Sequence, residues 1–321
     1  MNAVEHSLFI LGVVLLVGLL VPELLRRFRI PFATSLILVG ALLGPHGLDR
    51  IQLDSTLTLF GFLGASFQML LSGFEAQSLD LRPFERDNLL LYAGTGVLPA
   101  LLGGGLALTL GLSWTGVLLI ACIFMSSSIL LVFSFAEHMG FGSLRLGQRL
   151  KSATVLEELS AVFMAFAVLH TVEPHPRFSL PILLGLVISS VVFLRLFVPE
   201  IVSYAFSHFS EKGAGESERR VRFTLALLLI VLFLFSGLDV HPTIAAFLVG
   251  FSLAGTDQAY AVREKLRLVG YALFIPVFLF VVGLEVDFSL LFRTDLRSLA
   301  VLGFIVLAIS SKLLGGYLAT G

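Results

Sequence analysis

The sequence predicts an all-α protein that crosses a membrane about eleven times, with two copies of one helical unit set in opposite orientations. Three observations carry this prediction. Of 321 residues, 57% are hydrophobic and 13% charged, with a mean hydropathy of +0.99. That is more apolar side chain than the interior of a soluble domain of this length can hold. Apolar windows bounded by charge, proline or glycine recur along the whole chain. Three short motifs also return in the same order at a nearly constant offset.

Composition narrows the function. A net charge of −1 argues against a nucleic-acid partner, and the single Cys122 excludes an internal disulfide and a cysteine metal cluster. His6, His46, His138, His170, His175, His208 and His241 show no ligand spacing, so no metal site, cofactor or enzymatic centre is expected. The N-terminus lacks the basic start and cleavage site of a secretory signal.

The windows place helices near 7–25, 30–44, 57–75, 88–112, 114–138, 149–172, 178–197, 219–237, 241–255, 266–285 and 297–320. Lys and Arg crowd the loops on one side: Arg26, Arg27 and Arg29, then Arg82 and Arg86, and so on to Arg263, Lys265 and Arg267. The other side holds Arg50, Arg177, Arg293 and Arg297. The crowded side is therefore cytoplasmic, with the N-terminus outside and the cell membrane as the expected location. Arg195 snorkels from the inner end of the seventh helix. Lys312 lies inside the eleventh, as a cation at depth or as a second snorkelling lysine.

The internal repeat is read from three matches. Pro31-Phe-Ala-Thr-Ser-Leu-Ile-Leu-Val-Gly40 returns as Pro242-Thr-Ile-Ala-Ala-Phe-Leu-Val-Gly250. Gly73-Phe-Glu75 with Leu79-Asp-Leu81 returns as Gly283-Leu-Glu285 with Val286-Asp-Phe288, and Leu101-Leu-Gly-Gly-Gly-Leu106 as Leu313-Leu-Gly-Gly-Tyr-Leu318. The starts of the three motifs are 211, 210 and 212 residues apart, which spans seven helices, an odd number, so the second copy is inverted. The expected organisation is a first repeat over 1–172, a linking helix and cytoplasmic loop over 173–217, and a second repeat over 218–321. Counterparts of the fifth and sixth helices would fall near 325–383, so the sequence reads as a fragment without its last two helices.

Chemistry concentrates in the sixth helix. Its basic start, Arg149 and Lys151, belongs at a membrane surface, which puts Glu157 and Glu158 roughly 12 Å deeper, near mid-bilayer. A charge there costs at least ~2.5–3.5 kcal/mol, and intramembrane acids usually mark a proton or ion path. The blander reading is a structural pair, one acid neutral and the other bonded to Lys312 or a hydroxyl. Adjacent residues sit ~100° apart on a helix, so one acid can line a path while the other pairs with Lys312. Thr154, one turn before Glu158, can offer it a hydroxyl. In the fifth helix, Ser126, Ser127 and Ser128 either permit an unwound stretch facing an ion or bond back to their own helix. Glu75 and Glu285 fall at helix ends, where interfacial solvation explains them.

These residues resemble the monovalent cation:proton antiporter-2 family, which includes sodium/proton antiporters and Kef-type potassium/proton antiporters. The resemblance lies in Leu38-Val-Gly-Ala-Leu-Leu-Gly-Pro-His-Gly-Leu48, Leu70-Leu-Ser-Gly-Phe-Glu75, Ser126-Ser-Ser-Ile-Leu130 and Gly147 through the Glu pair. It continues through Ala245-Ala-Phe-Leu-Val-Gly250, Pro276-Val-Phe-Leu-Phe-Val-Val-Gly283 and Lys312-Leu-Leu-Gly315, covering nearly the whole chain in family order. It implies a sodium/proton antiporter-like inverted-repeat fold, a core domain moving against a dimerising domain, and a homodimer in a lipid bilayer. The implied activity is exchange of Na+ or K+ for protons by alternating access, without a cofactor. By position, Ser126 to Ser128 match the first unwound segment, Glu158 the ion- and proton-binding acid, Glu157 its variable neighbour and Lys312 the lysine that pairs with them. The family usually has aspartate where Glu158 stands, one methylene shorter. The alternatives from other classes are a non-transporting relative that serves as sensor or subunit, and an ion channel.

Overall fold

The structure, a computed structural model, describes residues 3–28, 30–77, 86–172, 216–237, 242–254, 259–288 and 296–320, with single positions between 179 and 204. The linking segment expected over 173–217 lies mostly outside the described residues, as do Arg195, His175, His208 and His241.

Every regular element among the described residues is helical. The helices are α1 (Ala3–Arg26), α2 (Phe32–Leu43), α3 (Ser55–Gln77), α4 (Arg86–Tyr92), α5 (Leu98–Thr109), α6 (Trp114–Met125) and α7 (Ile129–His138). They continue as α8 (Arg145–Val172), α9 (Glu216–Ser236), α10 (Pro242–Leu253), α11 (Ala259–Val269), α12 (Ile275–Leu284) and α13 (Leu296–Thr320). Five helical stretches among the described residues are long and apolar enough to cross a membrane: Ser7–Leu25, Ser55–Ala76, Arg86–Thr109, Val262–Leu284 and Ser298–Ala319.

Three of the expected helices take a different form. The fourth is α4 and α5 joined by a wide π turn at Ala93–Val97, just before Pro99. The tenth is α11 and α12 joined by a second π turn at Gly270–Phe274, just before Pro276. Proline has no N–H to give the carbonyl four residues back, and a wider turn absorbs the mismatch without breaking the rod. The tenth also starts seven residues earlier than the apolar window. Ala259–Val269 is polar on one side, with Glu264, Lys265 and Arg267 exposed and Val262 and Leu266 buried, and hydropathy alone does not register such a turn. The fifth is interrupted: α6 ends at Met125 and α7 begins at Ile129.

The chain divides into two compact units, Met1–Leu71 with Tyr260–Ser298, and Ser72–Ala259 with Leu299–Gly321. Each draws on both halves of the sequence. In the first, Ile10, Val14, Ile51, Leu57, Val277, Phe280 and Leu284 form the core, and Phe67 stacks on Phe274 at 4.7 Å. α2 is short because Pro31 starts it and the chain leaves the helix at Gly44. Lipid removes most of the hydrophobic drive between helices, so close backbone contact at small residues matters more.

The repeat is visible in that close contact. A Cβ on Gly283 would meet Ile37 O at 2.3 Å, Gly40 Cα at 2.9 Å and Ala41 N at 3.0 Å. In the other unit, a Cβ on Gly73 would meet Phe247 O at 2.1 Å, Phe251 N at 2.7 Å and Gly250 C at 3.1 Å. Moved 210 positions along the chain, Ile37, Gly40 and Ala41 become Phe247, Gly250 and Phe251, and Gly73 becomes Gly283. The same helix crossing is built once from each pairing of the two halves.

Candidate functional site

The acids lie in α8, within the second unit. Glu157 is 2% exposed and Glu158 7%. Near the start of the helix, Arg149 pairs with Asp87 at an exposed position. Lys151 is buried within the protein, with its ammonium 5.3 Å over the Phe133 ring, and α8 packs against α7.

Glu157 and Glu158 have different partners. Glu157 Oε1 accepts a hydrogen bond from Thr95 Oγ1 at 2.5 Å. Its Oε2 faces Lys312 Nζ at 3.5 Å, an ion pair without a hydrogen bond. Glu158 Oε2 instead accepts from Ser126 Oγ at 3.3 Å. The ~100° step between neighbours on a helix turns one acid to the lysine and the other to the serine break.

Lys312 collects its acceptors from the expected fourth and fifth helices. It donates to Ser127 Oγ at 2.7 Å, Thr95 O at 3.1 Å and Met125 O at 3.5 Å. α6 stops at Met125, and Ser126 is extended with φ −65° and ψ 141°. The last bond on that side is Ser126 N to Cys122 O at 3.1 Å, and the next helix begins with Val132 N on Ser128 O at 3.0 Å. Carbonyls between these points lose their helical partners, which makes Met125 O available to a cation. Pro99, lacking an N–H, leaves Thr95 O available in the same way.

Thr154 lies one turn before Glu158 in α8, with a different hydrogen-bond partner from the one expected. Its hydroxyl donates to Leu150 O at 2.8 Å rather than to Glu158, the back-bond a threonine in a helix readily makes. Ser128 is half-buried and supplies the first carbonyl of α7. Glu75 is half-buried inside the last turn of α3, whereas Glu285 is exposed just past α12.

Residues of the fourth helix were not read as part of the site. Tyr92 and Ser160 hydroxyls lie 2.9 Å apart, Thr95 holds Glu157, and a Cβ on Gly96 would stand 2.8 Å from Glu157 Cγ. Gly94 packs directly on Gly315, where a Cβ would fall 1.8 Å from Gly94 O. The available signal was Gly94-Thr-Gly96 followed by Pro99 inside an apolar window. If all three groups are ionised, one ammonium faces two carboxylates, and the cluster is one positive charge short.

Comparison with known proteins agrees with this architecture. Residues 12–321 match the family described as sodium/hydrogen exchanger, transmembrane. The chain belongs to that family. It is similar to a protein named probable Na(+)/H(+) antiporter 3 of Methanocaldococcus jannaschii, 26% identical over 98% of this chain and 80% of the relative. A Na(+)/H(+) antiporter of Enterococcus hirae is 27% identical over 91% of this chain and 76% of its own. The solved sodium proton antiporter MjNhaP1 from Methanocaldococcus jannaschii, at pH 8, superposes with a TM-score of 0.67 at 19% identity, over 99% of this chain and 81% of its own. At that identity the likeness establishes a shared fold. The chain is thus an integral membrane protein of antiporter fold.

Proposed function

We propose that this protein exchanges a monovalent cation, Na+ or K+, for protons across the cell membrane by alternating access, with its N-terminus outside and a homodimer as the working unit. The observation that carries the reading is the unequal partnering of the two acids. Lys312 balances Glu157 and leaves Glu158 as one unneutralised carboxylate beside a broken helix. One carboxylate can hold one monovalent cation or one proton, and competition between them for a single site is the requirement for exchange. Membership of the sodium/hydrogen exchanger family and the names of the relatives support the same activity.

In this reading Glu158 and the Ser126 hydroxyl bind the ion. Ser127 and Glu157 hold Lys312 in place. Ser128 and Thr154 add oxygens to the lining, since a hydroxyl that donates to a carbonyl keeps its lone pairs for a cation. The serine break is the element whose backbone the moving domain carries past the membrane midplane.

The test is cation-driven proton movement in everted membrane vesicles. Glu158→Gln is expected to abolish it, while Glu157→Gln is expected to alter charge stoichiometry or the pH dependence and leave exchange in place. Normal exchange by Glu158→Gln would overturn the assignment of the site.

A further inference from the structure

Thr95 touches both members of the Glu157–Lys312 pair, with its hydroxyl on the carboxylate and its carbonyl on the ammonium. We propose that Thr95 is the positioning residue of this pair, and that Pro99 and the π turn before it free the carbonyl that Lys312 uses. The proposal rests on the antiporter reading and assigns a role outside the acids, the lysine and the serine break.

Four features of one short segment converge on it. The π turn spans Ala93–Val97, and Leu98 N closes it on Ala93 O. Pro99 would ordinarily give its N–H to Thr95 O and has none to give, so the carbonyl turns to Lys312 at 3.1 Å. Gly96 leaves room for Glu157, whose Cγ would lie 2.8 Å from a Cβ there. Gly94 meets Gly315 backbone to backbone, one turn of α13 past Lys312, which brings the lysine within reach.

The hydroxyl is placed to follow Glu157 through a change of protonation. Thr95 Oγ1 lies 2.5 Å from Glu157 Oε1 and 2.7 Å from Leu91 O, but it carries one hydrogen. With Glu157 ionised, the hydroxyl donates to the carboxylate. With Glu157 protonated, the acid donates to Oγ1 and the hydroxyl's hydrogen turns to Leu91 O. Both states are satisfied without moving the backbone, and Lys312 keeps its carbonyl in each. Valine at this position is the same size and can do neither. Without the hydroxyl, Glu157 is held less firmly, Lys312 is free to lean toward Glu158, and the ammonium then competes with the transported cation.

The experiment measures cation-dependent proton movement in proteoliposomes containing the purified protein. Thr95→Val is expected to raise the apparent KM for the cation by roughly tenfold, the scale of a hydrogen bond to a charged group, with kcat changed less than about twofold. Thr95→Ser, which keeps the hydroxyl, is expected to stay near the parent. Pro99→Ala, which gives Thr95 O a helical N–H, is expected to shift KM in the same direction as Thr95→Val. In a Glu157→Gln background Thr95→Val is expected to add little, because its effect passes through Glu157. A parental KM in Thr95→Val, a Thr95→Ser as impaired as the valine, or an undiminished effect in the Glu157→Gln background each overturns the role of Thr95. If the unsubstituted protein moves no protons, the antiporter reading fails and the proposal falls with it. Melting of the parent, Thr95→Val, Glu157→Gln and the double substitution in detergent gives a readout without transport: Thr95→Val should lower Tm more in the parent than beside Glu157→Gln, where the bond it removes is to a neutral acceptor. Equal losses in both backgrounds overturn the proposal.

Discussion

Replacing Lys312 by methionine removes the ammonium and keeps an unbranched side chain of similar length, so the perturbation is mainly one of charge. Glu157 is 2% exposed, and the substitution leaves it only the Thr95 hydroxyl at 2.5 Å, with Glu158 next to it in the chain. Removing one partner of a buried pair typically costs about 3–5 kcal/mol, because the other charge stays behind uncompensated. The Lys312 side chain is 31% exposed and the separation is 3.5 Å, so the low end applies, about 3 kcal/mol. For a chain of this size that corresponds to a fall in Tm of roughly 4–5 °C. The assay is thermal unfolding of purified protein in detergent, followed by the release of buried Cys122 to a thiol-reactive dye. The double substitution Glu157→Gln with Lys312→Met removes both charges and keeps an acceptor for Thr95, so it should melt well above Lys312→Met alone. If Lys312→Met melts like the parent, or the double substitution gives no recovery, the ion pair does not support the fold and this reasoning is wrong.

Other predictions follow from the packing. Gly283→Ala and Gly73→Ala should both destabilise, each by about 1–3 kcal/mol or more, because either methyl lands on a backbone carbonyl that has no flexible way out. Gly105→Ala, with nothing within 4 Å, should be neutral or slightly stabilising, and melting temperatures decide all three. A harmless Gly73→Ala beside a damaging Gly283→Ala would break the proposed equivalence of the two crossings. Asp54→Ala should lower stability by roughly 1 kcal/mol, since its Oδ1 caps Leu57 N at 2.7 Å at the start of α3 and its Oδ2 accepts from Ser7 at 3.2 Å.

Periodicity and hydropathy resolved helices poorly where polarity or proline intervened. The polar turn of α11 carries Glu264, Lys265 and Arg267 outward on a helix that is otherwise apolar, so its start fell outside the window. The two π turns leave almost no trace beyond Pro99 and Pro276, because a single extra residue in a turn hardly alters composition. The serine break was legible as one of two options, since three consecutive hydroxyls are compatible with an intact helix as well as an open one. Thr154 shows the limit of spacing arguments. One turn before Glu158 is the right distance, but its own helix offers the nearer acceptor at Leu150 O.

The amino-acid sequence by itself determined the helical class, the apolar surroundings and the repeated motifs. Apolar length sets what a bilayer accepts, and motifs repeated at 210 to 212 residues record one unit used twice. It also exposed Glu157, Glu158 and Lys312, because charge within apolar runs is costly enough to be conspicuous. Which acid takes the lysine and which faces the serines was settled only by the tertiary structure. That choice depends on the rotation of α8 against the fourth helix, on the glycines that let Gly94 touch Gly315, and on carbonyls freed by a proline and a helix break. Backbone groups of this kind carry no side-chain signature, so their contribution appears only once helices distant in sequence are packed together.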